Sequence, residues 1–349
     1  MSDTAFSEID LLSKKVSDST APDDLKSSVL IRLEQLKKLV NSSTFLPEYD
    51  RINKYIEWIV SLPWNVKSQD NLDLTNAKNI LDSHHYGLED IKNRVLEYLS
   101  VMKLKQEKGE GQDVYRAPIL CFVGLVGTGK TTIAYSIAES LGRKIARIPF
   151  GGMGDPLDLR GQSKMHPEAE PGKIMKALRD TGTRNSVILL DEIDRVTEQG
   201  RASIMGVLVE LLDPGQNHAF TDHYIDYPFN LSECIFIATA NNTTNISTAV
   251  MDRIEPIMMP SYSDQEKIVI GKKYVFPKAL KSSGLPENTI TIDDDVWINI
   301  VRPLGYDAGI RTMERTIGGV VRKVARMVVE GKGTTFHIST QNVKEFLPQ

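Results

Sequence analysis

The stretch Gly124-Leu125-Val126-Gly127-Thr128-Gly129-Lys130-Thr131 constrains this chain more than any other feature, because it joins a strand-like run, Ile119 to Val123, to a helix-forming one, Thr132 to Ala138. The spacing G-x-x-x-x-G-K-[ST] between a strand and a helix is that of a loop that wraps phosphates. Glycines let backbone N–H groups approach anionic oxygens, and the helix N-terminus adds partial positive charge. Lys130 reaches the β and γ oxygens, and Thr131 can ligate Mg²⁺. Val126, Thr128 and Thr132 lie within or beside the same wrap. A ligand-free glycine turn is the competing reading, and both flanks argue against it.

Short apolar runs at 119–123, 144–149, 186–190 and 234–239 alternate with helical segments, the signature of a parallel sheet covered on both faces. The fold class expected is therefore α/β. The third run delivers Asp191 and Glu192 to a strand's C-terminal end, where ligands bind in open α/β sheets. Asp191 would hold Mg²⁺, directly or through water, and Glu192 would orient or deprotonate the attacking water. The fourth run ends at Ala240-Asn241-Asn242. Asn241 either holds that water or is a turn asparagine satisfying its own backbone, and the residues leave both open.

The 349 residues carry 42 Lys and Arg against 46 Asp and Glu, a net charge of −4 without long runs of one sign, so a duplex-binding polycation is excluded and a nucleic-acid partner is not expected. Cys121 and Cys234 each sit in an apolar run, which excludes a disulfide framework and points to a reducing, cytoplasmic setting. The start has no signal-peptide pattern and no run approaches 18 apolar residues, so no membrane partner is expected.

Residues 1–72 read as a helical neck. Within it 1–22, rich in Ser, Thr and Asp, are expected to be disordered, and Leu25, Val29, Leu33, Leu36 and Val40 form one helical stripe. Ile52, Tyr55, Ile56, Ile59 and Val60 form a second, ending at Leu62-Pro63. Residues 73–262 read as the α/β domain, opening with helices from Leu74 to Leu81 and Leu88 to Gln106. Residues 263–349 are mostly helical, with one β-like run from Thr335 to Ile338. Adjacent His84 and His85 lack further ligands at zinc spacing, so they read as structural or base-proximal rather than metal-binding.

Taken together, GLVGTGKT, ILLDEID, FIATANN and VMDRIEP, with PEYDRINKYIEWIVSLPW and LDSHHYGLEDIKNRVLEYL upstream and GYDAGIRTMER downstream, resemble the AAA+ ATPase part of the Lon ATP-dependent protease family from about Pro47 to Pro348. The resemblance implies an AAA+ P-loop core with a helical lid over 263–349, ATP and Mg²⁺ as ligands, and a homo-oligomeric, hexameric ring that threads unfolded or misfolded protein. It further implies that His85, Tyr86 and Gly87 lie near the adenine and that Asn241 is the sensor-1 residue. Arg253 would be an arginine finger serving an adjacent subunit, and Arg311 the sensor-2 arginine. From the residues alone, Arg253 would instead pair with Asp252 or Glu255, and Arg311 would be a helix-face charge beside Glu314, Arg315 and Arg322.

Two departures from that family's pattern stand out. The chain stops at Phe346-Leu347-Pro348-Gln349, where the family's proteolytic domain with its Ser-Lys dyad would begin, so peptide cleavage is not assigned to these residues. The family's aromatic-aliphatic gripping pair falls on His166-Pro167, with Met165 as a partial substitute, and Gly200 stands where a second loop usually has a bulky residue. Either the chain is the motor part of a Lon-like protease, or it is a stand-alone regulatory or assembly ATPase that does not thread substrate. An organellar matrix is the alternative setting if it is a piece of a longer precursor.

Overall fold

The structure, a computed structural model, describes residues 2–109, 118–166, 168–302 and 309–348. Helices α1 (Ser2–Asp18), α2 (Asp23–Lys37) and α3 (Phe45–Ser61) form the neck. The expectation of disorder over 1–22 is corrected by α1. Its Ala5, Ile9, Leu12 and Val16 recur at three- and four-residue spacing and are buried with Leu25, Val29, Leu33 and Leu36 of α2 and Ile56 and Ile59 of α3. The stripe is thin, yet α2 and α3 offer a surface for it, and tertiary burial rather than propensity makes the helix. Helix α3 ends at Leu62, extended at ψ 139° ahead of Pro63.

Helices α4 (Leu74–His84) and α5 (Glu89–Glu107) follow, α4 capped by Asp73, which accepts from the amide of Thr75. The core then runs β1 (Ile119–Val123), α6 (Lys130–Ser140), β2 (Ile145–Pro149), α7 (Leu157–Arg160), α8 (Lys173–Thr181), β3 (Val187–Asp191) and α9 (Arg201–Leu212). A short antiparallel pair, β4 (Phe220–Thr221) and β5 (Pro228–Phe229), precedes β6 (Ile235–Ala240), α10 (Thr248–Met251) and β7 (Ile254–Met258). The main sheet is parallel in the order β2-β3-β6-β1-β7. Alternate residues face opposite ways: Cys121, Val123, Ile188 and Leu190 join the cluster shared with the neck, whereas Leu120, Phe122, Val187 and Leu189 pack with α4, α5 and α6. Strand β7 was not foreseen, because Ile254-Glu255-Pro256-Ile257-Met258 carries a proline. As the edge strand beside β1 it tolerates the missing donor.

The third unit has its own core. Helix α11 (Asp264–Ile270) starts at a capping box between Ser263 and Glu266 and runs through a wider turn, Gly271–Val275, into α12 (Phe276–Ser282). Then come β8 (Ile290–Ile292), α13 (Trp297–Val301), α14 (Arg311–Val329), β9 (Phe336–Ile338) and α15 (Val343–Phe346). Strand β9 is the β-like run of the sequence, paired in parallel with β8. Trp297, Ile300, Met313, Ile317, Val320 and Val324 are buried together.

Candidate active site

The loop after β1 turns through Gly127 and Gly129 in left-handed conformations, φ 82° and 96°, which a side chain would strain. Lys130 opens α6 and is buried. Its Nζ donates to the carbonyls of Gly124 at 2.6 Å and Leu125 at 3.0 Å and to Oδ1 of Asn241 at 3.2 Å. Burial pushes its pKa down, while the carboxylates of Glu192, Asp194 and Asp191 oppose the shift.

Asp191 ends β3 with a buried carboxylate. Oδ1 accepts from Thr239 Oγ1 at 2.5 Å and from Thr131 Oγ1 at 3.3 Å, and Oδ2 accepts from Arg147 Nε at 2.6 Å. Glu192 takes a left-handed conformation, φ 58°, of the kind that costs about 1–3 kcal/mol for a residue with a side chain. The amide of Glu192 donates to the Thr239 hydroxyl at 2.8 Å, so one buried hydroxyl on β6 fixes both carboxylate-bearing residues.

Asn241 donates its backbone amide to Asp194 Oδ1 at 3.1 Å, and its side-chain Oδ1 accepts from Lys130. The turn asparagine is its neighbour: Asn242 Oδ1 accepts from the amide of Thr244 at 3.0 Å. Among the described residues, Nδ2 of Asn241 is buried without a protein partner, a donor that a phosphate oxygen or a water would satisfy.

Beside the loop lies a cleft of about 390 Å³, lined by His84, His85 and Tyr86, by Gly129, Thr132 and Tyr262, and by Tyr274, Ile310 and Glu314 of the helical unit. Gly87, φ 65°, turns the chain out of that wall into Leu88. His85 Nε2 lies 2.9 Å from Ser136 Oγ, which His84 Nδ1 also approaches at 3.1 Å, so one serine hydroxyl bridges the two rings. Burial pushes the His85 pKa down to about 4, with His84 and Lys92 adding to the shift, so its ring is neutral at pH 7. A larger cavity, about 770 Å³, runs along β2 between α6 and α8 and includes no residue of the 124–131 loop.

The helical unit rests on the loop directly. The amide of Ile310 donates to the carbonyl of Gly127 at 3.0 Å, and a Cβ on Gly309 would lie 2.4 Å from the carbonyl oxygen of Val126. Arg311, exposed, starts α14 at this junction, while Gly305 to Ala308 of the GYDAGIR motif lie outside the described residues. Arg253 is placed elsewhere. It pairs with neither Asp252 nor Glu255 but donates through Nη2 to Asp213 Oδ2 at 2.9 Å, and its Nε is buried without a partner among the described residues. Glu255 pairs instead with Arg94 at 2.9 Å.

Of the two segments expected to grip substrate, Pro167 lies outside the described residues. His166 is exposed and Met165 is 72% exposed. Lys164 pairs with Asp226 at 2.8 Å and stands 5.0 Å from the centre of the Tyr55 ring of the neck. Gly200 is a glycine for a steric reason, since a Cβ there would lie 2.2 Å from the carbonyl oxygen of Gly154. The segment between α9 and β6 closes through the antiparallel β4–β5 pair, and buried Asp222 accepts from the amides of Gly172, Tyr224 and Ile225.

The fold thus gathers Lys130, Thr131, Asp191, Glu192 and Asn241 at the C-terminal ends of the central strands β1, β3 and β6, with Arg311 at the seam above, and leaves Arg253 apart. Sequence reasoning missed Arg147, Thr239, Asp194 and Tyr262, whose hydroxyl donates to the carbonyl of Thr128 at 3.4 Å. Among the described residues no three His, Cys, Asp or Glu side chains gather as a metal cage. The donors present, one hydroxyl and one carboxylate beside a phosphate loop, suit Mg²⁺, which binds through one or two protein oxygens plus substrate phosphates.

Comparison with known proteins finds two family models along the chain. The family model described as ATPase family associated with various cellular activities (AAA) matches residues 120–262, and that of the Lon protease AAA+ ATPase lid domain matches 281–336. The chain is 43% identical over 343 residues to the Lon protease of Lawsonia intracellularis, covering 98% of this chain and 40% of that protein. It is 44% identical over 301 residues to Lon protease 2 of Thermus thermophilus, covering 85% and 37%. For the Lon protease of Halothermothrix orenii the figures are 38% over 333 residues, 95% and 41%. The chain spans about two fifths of the length of these relatives.

Proposed function

The chain belongs to the AAA ATPase family and carries the AAA+ module of Lon proteases with its lid, and on that premise we propose that it hydrolyses ATP with Mg²⁺ to unfold and translocate polypeptide, as the motor part of a Lon-like protease. The reading rests most on Thr239, whose hydroxyl ties Asp191 to Glu192 across from Lys130. Adenine enters the cleft walled by His85, Tyr86 and Tyr262, and the phosphates lie along the 124–131 loop. Lys130 then exchanges its loop carbonyls for phosphate oxygens. Magnesium, held by Thr131 and Asp191, would neutralise charge on the phosphates. Glu192 takes a proton from the attacking water, and Asn241 Nδ2 holds that water or a γ-oxygen.

Arg311 reads the nucleotide from the lid, whose first turn is seated on the loop. Arg253 completes the site of a neighbouring copy in a homohexameric ring. A cytoplasmic setting suits two free, buried cysteines, and among the described residues no helix is long and apolar enough to cross a membrane. Phosphate release with and without an unfolded protein tests the reading, and stimulation by the unfolded chain is expected. The second reading, a regulatory ring that does not pull, draws on Lys164 being tied to Asp226 and Tyr55 and on Gly200 being closed against Gly154. Turnover indifferent to any added polymer would favour it.

A further inference from the structure

Arg147 stands on β2 at the sheet's outer edge, and both its Nε and its Nη2 lie 2.6 Å from a single oxygen of Asp191, Oδ2. The other oxygen, Oδ1, is the one that faces Thr131 and Thr239. The Asp191 side chain is 4% exposed and that of Arg147 is 49% exposed, so the ion pair links the buried site to the open cavity along β2.

We infer that Arg147 is a positioning residue for the magnesium site: it occupies Oδ2 of Asp191 and thereby keeps Oδ1 turned toward Thr131. The inference rests on the reading of Asp191 given above. A carboxylate rotates readily about its last bond, and a planar guanidinium using two N–H groups on one oxygen stops that rotation, which a point-like ammonium does less well. It also compensates a charge that burial would otherwise disfavour. A purely structural pair that closes the sheet edge is the competing explanation. The edge needs no such help, since β2 is joined to β3 by a parallel ladder from Ile145–Val187 to Pro149–Asp191. Residues that orient a metal-holding carboxylate typically change metal affinity or activity by about 10- to 100-fold when removed.

The test is a binding titration with the whole chain. A fluorescent ADP is bound first in EDTA, which reads the loop alone, and then with increasing MgCl2, which reads the contribution made through Thr131 and Asp191. For Arg147→Ala the affinity in EDTA should match the parent, while the magnesium concentration giving half the tightening should rise by about 10- to 100-fold. Arg147→Lys should fall between the two, and it carries the test if the alanine variant does not fold. A magnesium midpoint equal to the parent's, in Arg147→Ala or, failing that, in Arg147→Lys, would overturn the assignment of Arg147. If Asp191→Ala also keeps the parent's midpoint, or the parent shows no tightening at all, it is the reading of Asp191 that falls, and the role of Arg147 falls with it.

Discussion

The carbonyl of Arg253 accepts a hydrogen bond from the amide of Ile119 at 3.4 Å, which puts Arg253 at the start of β1 while the phosphate loop begins at its end. Five extended residues span about 16 Å, beyond the reach of an arginine side chain. Arg253 therefore acts on another copy of the chain or on no nucleotide at all. Arg253→Ala should bind nucleotide like the parent but turn over about 10³-fold more slowly or worse. Mixing it with Lys130→Ala should restore part of the activity, because each variant supplies what the other lacks at a shared interface. A mixing series without recovery would rule out a shared finger.

The amide of Glu192 is held by the Thr239 hydroxyl, and its proposed role belongs to the carboxylate. Glu192→Gln should retain nucleotide binding and lose about 10²–10⁴ in turnover. Thr239→Val should slow turnover as well and also cost about 1 kcal/mol of stability, since it leaves the part-buried amide of Glu192 without its acceptor. Phosphate-release rates and urea midpoints check both, and a Thr239→Val protein with parental turnover would show that the hydroxyl does not align the pair.

His85 supplies the pH dependence. Its folded pKa, about 4, lies below the unfolded value of 6.5, so the unfolded chain binds more protons in between. The stability it contributes is therefore present above pH 6.5 and lost as pH falls toward 4, a loss of about 3 kcal/mol from this group. Lys92 and His84 repel its charged form, and Glu139, 3.6 Å from His84, is the nearby acid. Urea unfolding at pH 7.5 and pH 5 should show the parent weakening more than His85→Gln. Equal losses would mean that the imidazole is not held neutral.

Gly309 tests the seam between lid and loop. With a Cβ only 2.4 Å from the Val126 carbonyl, Gly309→Ala must move either the lid or the loop. Nucleotide affinity should fall by about tenfold, as expected when overpacking of about 1–3 kcal/mol is relieved by undoing a binding surface. An unchanged Kd would show that the seam opens without consequence for the nucleotide.

Much of this site is legible in the chain because its signals are local. A phosphate loop is one contiguous string, and the four apolar runs became β1, β2, β3 and β6. The rest was not legible for two physical reasons. Weak patterns were rescued by tertiary partners: α1 by α2 and α3, and β7, despite Pro256, by an edge position. Partners distant in sequence met only on folding, so nothing near Arg147 or Thr239 announces that both will grip Asp191, and Arg253 found Asp213 rather than its neighbours. Gly200, which looks like an altered gripping residue in the sequence, is a packing requirement in three dimensions.

Calorimetric titration of ATP with magnesium into folded Glu192→Gln protein reads triphosphate binding by the 124–131 loop apart from turnover. Saturable heat is expected, greatly reduced when Lys130 is also changed to alanine. No heat from well-folded protein, or the same heat with and without Lys130, would contradict the claim that the 124–131 loop grips a triphosphate for Asp191 and Glu192 to act upon.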